Sequence, residues 1–397
     1  MSDATIYLDN NATTPVAPEV REAMRPYLAD EYGNPSSLYQ LAGRAQRAVE
    51  RAREEVAALL GASPDEILFT SCGTESDNTG LVSALSDAAA DDALVTTRVE
   101  HPAVLNLAKR LRDESRRVVE LGVDDLGRLD LDELSAALAG RVRALSVMWA
   151  NNETGVMFPV EKIADMAKSS GVLFHTDAVQ AVGKVPIDLG KLPVDYLALS
   201  GHKIHAPKGV GALFVRRGAP FRPLLVGGHQ EGGRRGGTEN VAGIVGLGEA
   251  ARLARERMDE EITRVRSLRD RLEDALVEAI PGARVNGDRD SRLPNTTSIS
   301  FEYVEGESIL LLLDRAGICA SSGSACTTGA LEPSHVLRAM GVPYTRAHGT
   351  VRLSLSRYNT DADVDRTLEV LPGVIRRLRE LSPFGREHLD AAGKTCR

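Results

Sequence analysis

From about Glu66 the chain alternates short apolar runs, rich in β-branched residues, with amphipathic stretches of helical period. The apolar runs are candidate strands, namely EILFT, ALVTT, RVVEL, RALSVMWA, GVLFHTD, YLALS and GALFVRR. Apolar residues with a 3.6-residue period lie between several of them, as in residues 74–89 and 159–169. A repeated strand–helix–strand order predicts a parallel sheet covered by helices. We therefore expect an α/β fold with a mostly parallel, seven-stranded sheet.

The pattern changes near Glu239, where a long helical stretch rich in Arg and Glu begins and runs to about Ile280. Beyond it the runs TTSISFEY and VRLSLSR are candidate strands, and residues 307–316 and 361–381 are candidate helices. Fewer strands with helices between them predict a smaller α+β domain.

The length of 397 residues is that of two domains rather than one. We place the boundary inside the long helical stretch. The sequence thus predicts a large domain over residues 16–255 and a small domain built from residues 1–15 and 256–397.

The charge of the chain limits its partners. A formal charge of −8 and a pI near 5.6 argue against nucleic acid or an anionic membrane as a partner, because both need a basic surface. No apolar run reaches membrane-spanning length, and the N-terminal MSDATIYLDNNATTP lacks the basic and then apolar stretch of a secretory signal. We therefore expect a cytoplasmic protein.

Polar clusters follow four of the candidate strands. They are SCGTESDN after EILFT, NNETG after RALSVMWA, HTDAVQ at the end of GVLFHTD and SGHK after YLALS. Ligands of doubly wound sheets bind at the carboxyl ends of the strands. Because the same placement recurs four times, we expect the clusters to form one site.

Lys203, in SGHKIHAPKGVG, stands in the strongest of these clusters. A lysine that attacks an aldehyde must be neutral, so burial and positive surroundings must lower its ordinary pKa of about 10.4. Lys203 is therefore a candidate for the lysine that binds pyridoxal phosphate (PLP). Lys208 is a rival that lies further from the strand end, and a solvent-exposed role for Lys203 is the plain alternative.

A PLP site also needs a carboxylate at the pyridine nitrogen, because the protonated ring withdraws electrons from the substrate. Asp177, at the end of VLFHTD, is the candidate, and capping of a following helix is the alternative. Gln180 is placed to donate to the phenolic oxygen of the ring. His101, in VEHPAV, is a candidate to stack on the ring, with helix capping or a core position as alternatives.

The phosphate of PLP needs backbone N–H groups at the start of a helix, where the helix dipole attracts anions. Gly73 and Thr74 open the helix that follows EILFT and are the candidates. The side chains of Ser200 and His202 add possible donors.

The four cysteines, Cys72, Cys319, Cys326 and Cys396, are too few and too scattered for a disulfide framework, and no CxxC pair suggests zinc. Cys319 lies in the apolar run LLLDRAGICA and is expected to be buried, and Cys72 is expected to be packed. Cys326 stands among small residues and glycines, which predicts a loop. From the residues alone, Cys326 is either a reactive thiol or a small residue that fills a loop.

Ten motifs of this chain resemble those of one known family. They are YLDNNATTP, GNPSS, TSCGTESDN, EHPAV, WANNETG, HTDAVQAVGKVPID, SGHKIHAPKGVG, GGHQEGGRRGGTEN, SSGSACTTGALEPSHVLRAM and HGTVRLSLSR. They are similar to the motifs of cysteine desulfurases of the nitrogen-fixation (NifS) type, in the class V aminotransferase superfamily. The resemblance covers about residues 6–384 and implies the PLP-dependent transferase fold of type I.

The resemblance also implies roles for single residues. Lys203 would hold PLP, Asp177 would face the pyridine nitrogen and His101 would stack on the ring. Asn152 and Gln180 would contact the ring oxygen or the substrate, and Arg352 would bind the substrate carboxylate. The residues expected at the phosphate are Gly73, Thr74, Ser200 and His202, with Thr238 contributed by the neighbouring subunit of a homodimer. Gly201 is a further residue expected to bind the cofactor.

The activity that the resemblance implies is conversion of L-cysteine to L-alanine, with a persulfide formed on Cys326. The sulfur would go to an iron–sulfur scaffold or another acceptor protein, with nitrogenase maturation as one destination. No resident metal is expected, although Cys326 in a complex with a scaffold would transiently ligate an iron–sulfur cluster. The alternatives are a selenocysteine lyase, another class V aminotransferase, and a non-catalytic scaffold. Intact Lys203, Asp177 and Arg352 argue against the last.

Overall fold

The computed structural model describes residues 5–322 and 333–382. The strands are β1 (Ile6–Tyr7), β2 (Ile67–Thr70), β3 (Ala93–Thr97), β4 (Val118–Leu121), β5 (Val142–Ser146), β6 (Leu173–Asp177), β7 (Tyr196–Ser200), β8 (Gly211–Val215), β9 (Arg284–Val285), β10 (Thr296–Ser300), β11 (Ile318–Cys319) and β12 (Thr350–Ser354).

The α-helices of the same residues are α1 (Pro18–Ala29), α2 (Gln40–Leu60), α3 (Gly73–Ala84), α4 (Pro102–Asp113), α5 (Leu131–Leu138), α6 (Val160–Ser169), α7 (Val241–Glu256), α8 (Met258–Glu260), α9 (Arg266–Ala279), α10 (Gly306–Arg315), α11 (His335–Ala339), α12 (Tyr344–Ala347) and α13 (Asp361–Leu381). Single 3₁₀ turns span Pro64–Glu66, Gly201–Lys203 and Gln230–Gly233, and a π-helical turn spans Glu261–Val265.

The largest sheet has seven strands in the order β2-β8-β7-β6-β5-β3-β4. All seven of its strands come from the predicted runs, and the mostly parallel α/β sheet is confirmed. β8 alone among these strands runs antiparallel to its neighbours β2 and β7. The segment between β7 and β8 contains no crossover helix, and a short connection of this kind joins antiparallel strands. The carboxyl ends of β2, β5, β6 and β7 consequently lie at the same edge.

A second layer of structure follows the long helical stretch. Strands β12, β10 and β9 form an antiparallel three-stranded sheet, and β1 pairs in parallel with β11. Helices α9 and α10 both pack on α13. Leu8 on the N-terminal arm joins the apolar core that these elements share, whereas Ala17 joins the core of the large sheet.

The predicted helix from Glu239 to Ile280 is interrupted in the structure. Helix α7 ends at Glu256, and Arg257 has non-helical torsions of φ −103° and ψ 9°. A π-helical turn follows, and its first residue, Glu261, turns its side chain into the protein interior. Such π turns recur at functional sites of proteins.

The predicted domain division stays a prediction. Most of the second core comes from residues 265–375, as the division expects. However, Val336 and Met340, which the division places in the small domain, pack in the core of the large sheet. Across residues 5–322 and 333–382, no helix is both long and apolar enough to cross a membrane.

Helix α7 packs closely on α2 because Gly248 lacks a side chain at their contact. A Cβ atom at Gly248 would lie 2.5 Å from the Cα of Ala52. We expect Gly248→Ala to lower the free energy of unfolding by about 1–3 kcal/mol, as overpacked sites do. Gly373→Ala is the matched control, because a Cβ there meets no atom within 4 Å. That change should leave stability unchanged or raise it by up to about 1 kcal/mol, through helix propensity. Urea denaturation measures both, and equal effects would contradict the packing explanation.

Candidate active site

A cavity of about 490 Å³ lies at the sheet edge where β2, β5, β6 and β7 end. It brings together most of the site residues that the sequence predicts, namely Gly73, Thr74, His101, Asn152, Asp177, Gln180, Ser200, His202, Lys203 and Arg352. The four polar clusters therefore meet at one place, as the strand ends require.

Two of the predicted site residues, Gly201 and Thr238, do not line the cavity. Gly201 is buried beside the cavity, but its N–H donates to the carbonyl of Val210. Thr238 is exposed and does not line the cavity of its own chain. Cys326 lies outside the described residues.

Lys203 sits in the 3₁₀ turn that directly follows β7. Its ammonium donates to the carbonyl oxygens of Asn11 and Ala12, at 2.5 Å and 2.7 Å. Burial, together with the positive charges of Arg352 and Lys184, lowers the pKa of the Lys203 ammonium to about 7. A large share of Lys203 is therefore neutral at neutral pH, which a nucleophilic amine requires.

Asp177 ends β6 and is 5% exposed. Its Oδ1 accepts from the N–H of Val179 at 2.9 Å. Turns rather than a helix follow it, so the helix-capping alternative is wrong. Burial raises the pKa of the Asp177 carboxyl, and nearby His101 opposes this most strongly. A cationic ligand would stabilise the carboxylate form.

His101 both caps a helix and lines the cavity. Its Nδ1 accepts from the backbone N–H of Ala103 at 3.2 Å, at the start of α4. The proton of the neutral ring is therefore on Nε2. Burial lowers the pKa of His101, and protonation of Nδ1 would break the capping bond. The structure thus favours the neutral ring over the imidazolium.

One end of the cavity offers donors to an anion. Helix α3 begins at Gly73, and the side chain of Cys72 makes no capping hydrogen bond there. A Cβ at Gly73 would lie 2.7 Å from Cγ2 of Val179, so this approach requires glycine. The buried hydroxyl of Ser200 has no hydrogen-bond partner among the described residues. Uncapped N–H groups and a free hydroxyl suit a phosphate.

His202 lies beside this anion site. Its Nδ1 is 3.1 Å from the hydroxyl of Thr13. Burial, with the charges of Lys203 and Lys208, lowers the pKa of His202 to about 4. The ring is therefore neutral at neutral pH and would act through hydrogen bonds rather than charge.

Arg352, on β12, also lines the cavity, and its side chain is 3% exposed. Its guanidinium donates to the carboxylate of Asp9 at 2.7 Å and to the carbonyl of Asn152 at 2.8 Å. These bonds leave further N–H groups of the planar cation for a carboxylate ligand.

Several cavity residues have no role in the predictions, among them Asn11, Cys72, Asp77 and His335. The motif YLDNNATTP signalled the importance of Asn11, but not which contact it makes. Asp77 follows the predicted phosphate loop on α3, and its carboxylate lies 3.5 Å from Nε2 of His175. Burial and the charges of Asp177 and Glu100 raise the pKa of the Asp77 carboxyl well above its usual range.

The expectation that Cys319 is buried needs correction. Cys319 is half-exposed rather than buried, because β11 is a two-residue strand that pairs only with β1 among the described strands. Cys72 is also half-exposed and lines the cavity.

Comparison with known proteins gives consistent results. The family model of class-V aminotransferases matches residues 6–367. A cysteine desulfurase of Gluconacetobacter diazotrophicus is 59% identical over 381 residues, which are 96% of this chain and 95% of that protein. Cysteine desulfurase NifS of Azotobacter vinelandii is 56% identical over 382 residues, with the same two shares. A solved NifS-like protein has a TM-score of 0.89 at 40% identity, covering 94% of this chain and 100% of its own.

We expect Lys203 to react as an amine at a lower pH than an ordinary lysine. In the PLP-free protein, trace acetylation of Lys203 should rise through pH 7 and level off, because only the neutral amine reacts. Lys191 is the internal control, since its ion pair with Asp188 raises its pKa above the usual value. Mass spectrometry of the two peptides gives both titrations. Parallel curves for the two lysines would contradict the lowered pKa.

Proposed function

This chain belongs to the cysteine desulfurases, PLP-dependent enzymes of the class V aminotransferase family, and on that premise we propose how it handles sulfur. The Cβ–S bond of L-cysteine breaks, the sulfur forms an S–S bond with Cys326, and the carbon gains a proton to give L-alanine. The persulfide sulfur is then passed to a protein that assembles iron–sulfur clusters. The name NifS of the Azotobacter vinelandii relative supports nitrogenase as one destination.

One observation carries the site assignment. Three side chains line the same cavity. They are Lys203, whose lowered pKa favours the neutral amine, the buried carboxylate of Asp177 and the guanidinium of Arg352. An amino-acid substrate and an aldehyde cofactor together need an amine, a counter-charge for the ring and a carboxylate clamp. A non-catalytic scaffold would need none of the three.

PLP fits the residues present. Lys203 would bind it covalently, Asp177 would face the pyridine nitrogen, and the start of α3 with Ser200 would hold the phosphate. When bound, PLP supplies an electron sink for the bonds at the α-carbon of the substrate. Gln180 would donate a hydrogen bond at the edge of the ring, and His202 would donate one to the phosphate.

The remaining residues orient the substrate and move protons. Arg352 would hold the substrate carboxylate, with Asn152 beside it. Lys203, once released, would carry the proton at the α-carbon, because its pKa of about 7 lets it both accept and donate. The ring of His101 would assist near the sulfur by donating from Nε2, since its Nδ1 already accepts from the backbone.

We infer a homodimer from the exposed surface. Large apolar side chains are exposed in two segments. The first contains Leu28, Tyr32, Leu38 and Tyr39, and the second contains Leu224, Leu225 and Val226. Exposed apolar groups of this kind mark interaction surfaces. The second segment leads to the exposed Thr238, and the ion pair of Arg235 with Glu75 at 3.0 Å holds this loop near α3. These features support a Thr238 that reaches the phosphate of the neighbouring subunit.

Cys326→Ala should retain PLP and its absorbance but lose alanine formation and the persulfide, because no thiol takes the sulfur. Cys72→Ala is the matched control, since Cys72 is the other candidate thiol and lines the cavity. That variant should keep most of its activity. Mass measurement after addition of L-cysteine locates the persulfide peptide. A persulfide on Cys72, or undiminished alanine from Cys326→Ala, would refute the assignment.

Mixed dimers test the shared site. Thr238→Ala should weaken PLP binding by about 10–100-fold, the cost of one hydrogen bond to a charged group. Lys203→Ala should be inactive. In a heterodimer of the two variants, one site regains both Lys203 and a partner's Thr238, so activity at limiting PLP should return. No recovery on mixing would show that Thr238 serves its own subunit or none.

A further inference from the structure

Lys184 belongs to the motif HTDAVQAVGKVPID, yet the proposed function gives it no role. It is 6% exposed, and lysine is rarely buried so deeply unless its charge is paired. It lines a small cleft together with Lys203 and Glu261. A second ammonium therefore lies just behind the lysine that would hold PLP.

The two hydrogen bonds that the described residues give this ammonium both go to Gln180. Nζ of Lys184 donates to the carbonyl oxygen of Gln180 at 3.0 Å and to its Oε1 at 3.4 Å. Because an ammonium can only donate, the amide oxygen of Gln180 must lie on the side of Lys184. Nε2 of Gln180 then donates to the carbonyl of Asn11 at 3.0 Å. Its second N–H is left for a ligand in the cavity, which Gln180 lines.

Several charged or titratable groups face Lys184. Lys203, Arg352 and His202 lie on the cavity side, and Glu261, Arg357 and His205 lie on the other. Burial lowers the pKa of Lys184 to about 8. The charge of Glu261 acts against this lowering, and the charge of Arg352 adds to it. At neutral pH the group therefore carries a positive charge, and that charge in turn lowers the pKa of Lys203.

We propose that Lys184 is a positioning residue, which turns the Gln180 carboxamide so that an N–H faces the cavity and sets a fixed positive charge behind Lys203. This inference rests on the proposed PLP site. A donor at this position suits an anionic ring oxygen, whereas an amide oxygen there would repel it. The charge favours the unprotonated form of the nitrogen at Lys203.

Two substitutions separate the charge from the hydrogen bond. Lys184→Met removes both, whereas Lys184→Gln removes the charge and keeps an N–H donor for Oε1 of Gln180. Lys191→Met is the control, because Lys191 is an exposed lysine paired with Asp188 at 2.7 Å. The PLP-loaded proteins are titrated with pH by visible absorbance, and the Kd of PLP is measured by equilibrium dialysis. Neither the absorbance titration nor the Kd of PLP depends on sulfur chemistry. A loss of desulfurase activity would therefore not affect this test of Lys184.

The midpoint of the absorbance transition should rise by about 0.5–1 pH unit in both Lys184 variants, because a nearby positive charge is lost. The Kd of PLP should rise by about five- to tenfold in Lys184→Met, because the Gln180 N–H donor is then misplaced. The Kd should rise much less in Lys184→Gln, which keeps that donor in position. Lys191→Met should match the wild type in both. Unshifted midpoints, or equal Kd values for the Met and Gln variants, would refute the proposal. If Lys184→Met does not fold, the midpoint of Lys184→Gln alone decides.

Discussion

The Lys203 ammonium donates to the carbonyl oxygens of residues 11–12, and the rest of the site is arranged around that contact. The same arm places the carboxylate of Asp9 against Arg352 and packs Leu8 into the second core. One short N-terminal segment thus contacts the amine of Lys203, just after β7, and the guanidinium of Arg352 on β12. Because backbone carbonyls cannot move independently of the arm, the distance between these two cations depends on how the arm is packed. The two cores are thereby linked at the point where the substrate would sit.

Burial, rather than pairing, dominates the electrostatics of the cavity. It lowers the pKa of Lys203 and raises the pKa of Asp177, Asp77 and Glu100, the last to about 8. Each group is therefore pushed towards its neutral form in the protein without ligand. A bound ring with a cationic nitrogen and an anionic phosphate would supply the missing counter-charges at Asp177 and at the start of α3. A ligand of that charge pattern would therefore stabilise the charged form of Asp177.

The sequence predicted the parts of the site that depend on local order. Asp177 ends a buried strand and Lys203 closely follows another. The carboxyl ends of parallel strands lie at one edge of the sheet, irrespective of the conformation of the loops. The role of Arg352 could be predicted only from the family motifs. Its partner Asp9 lies 343 positions away in the sequence, and no local pattern indicates their contact. The break at Arg257 escaped prediction for a related reason. The Arg- and Glu-rich period continues across it, while the π turn that follows places Glu261 among buried groups of another segment.

The position of Cys72 sharpens the question of which thiol takes the sulfur. A thiol that receives sulfur in the cavity and passes it to another protein must reach both the substrate and the surface. Cys72 lies between β2 and α3, where its carbonyl accepts from the N–H and the hydroxyl of Ser76 and from the hydroxyl of Thr70. These bonds hold the Cys72 backbone at the start of the helix that would bind phosphate. The Gly- and Ser-rich sequence around Cys326 contains no such helix start, and this sequence context is the reason to propose Cys326 as the sulfur carrier.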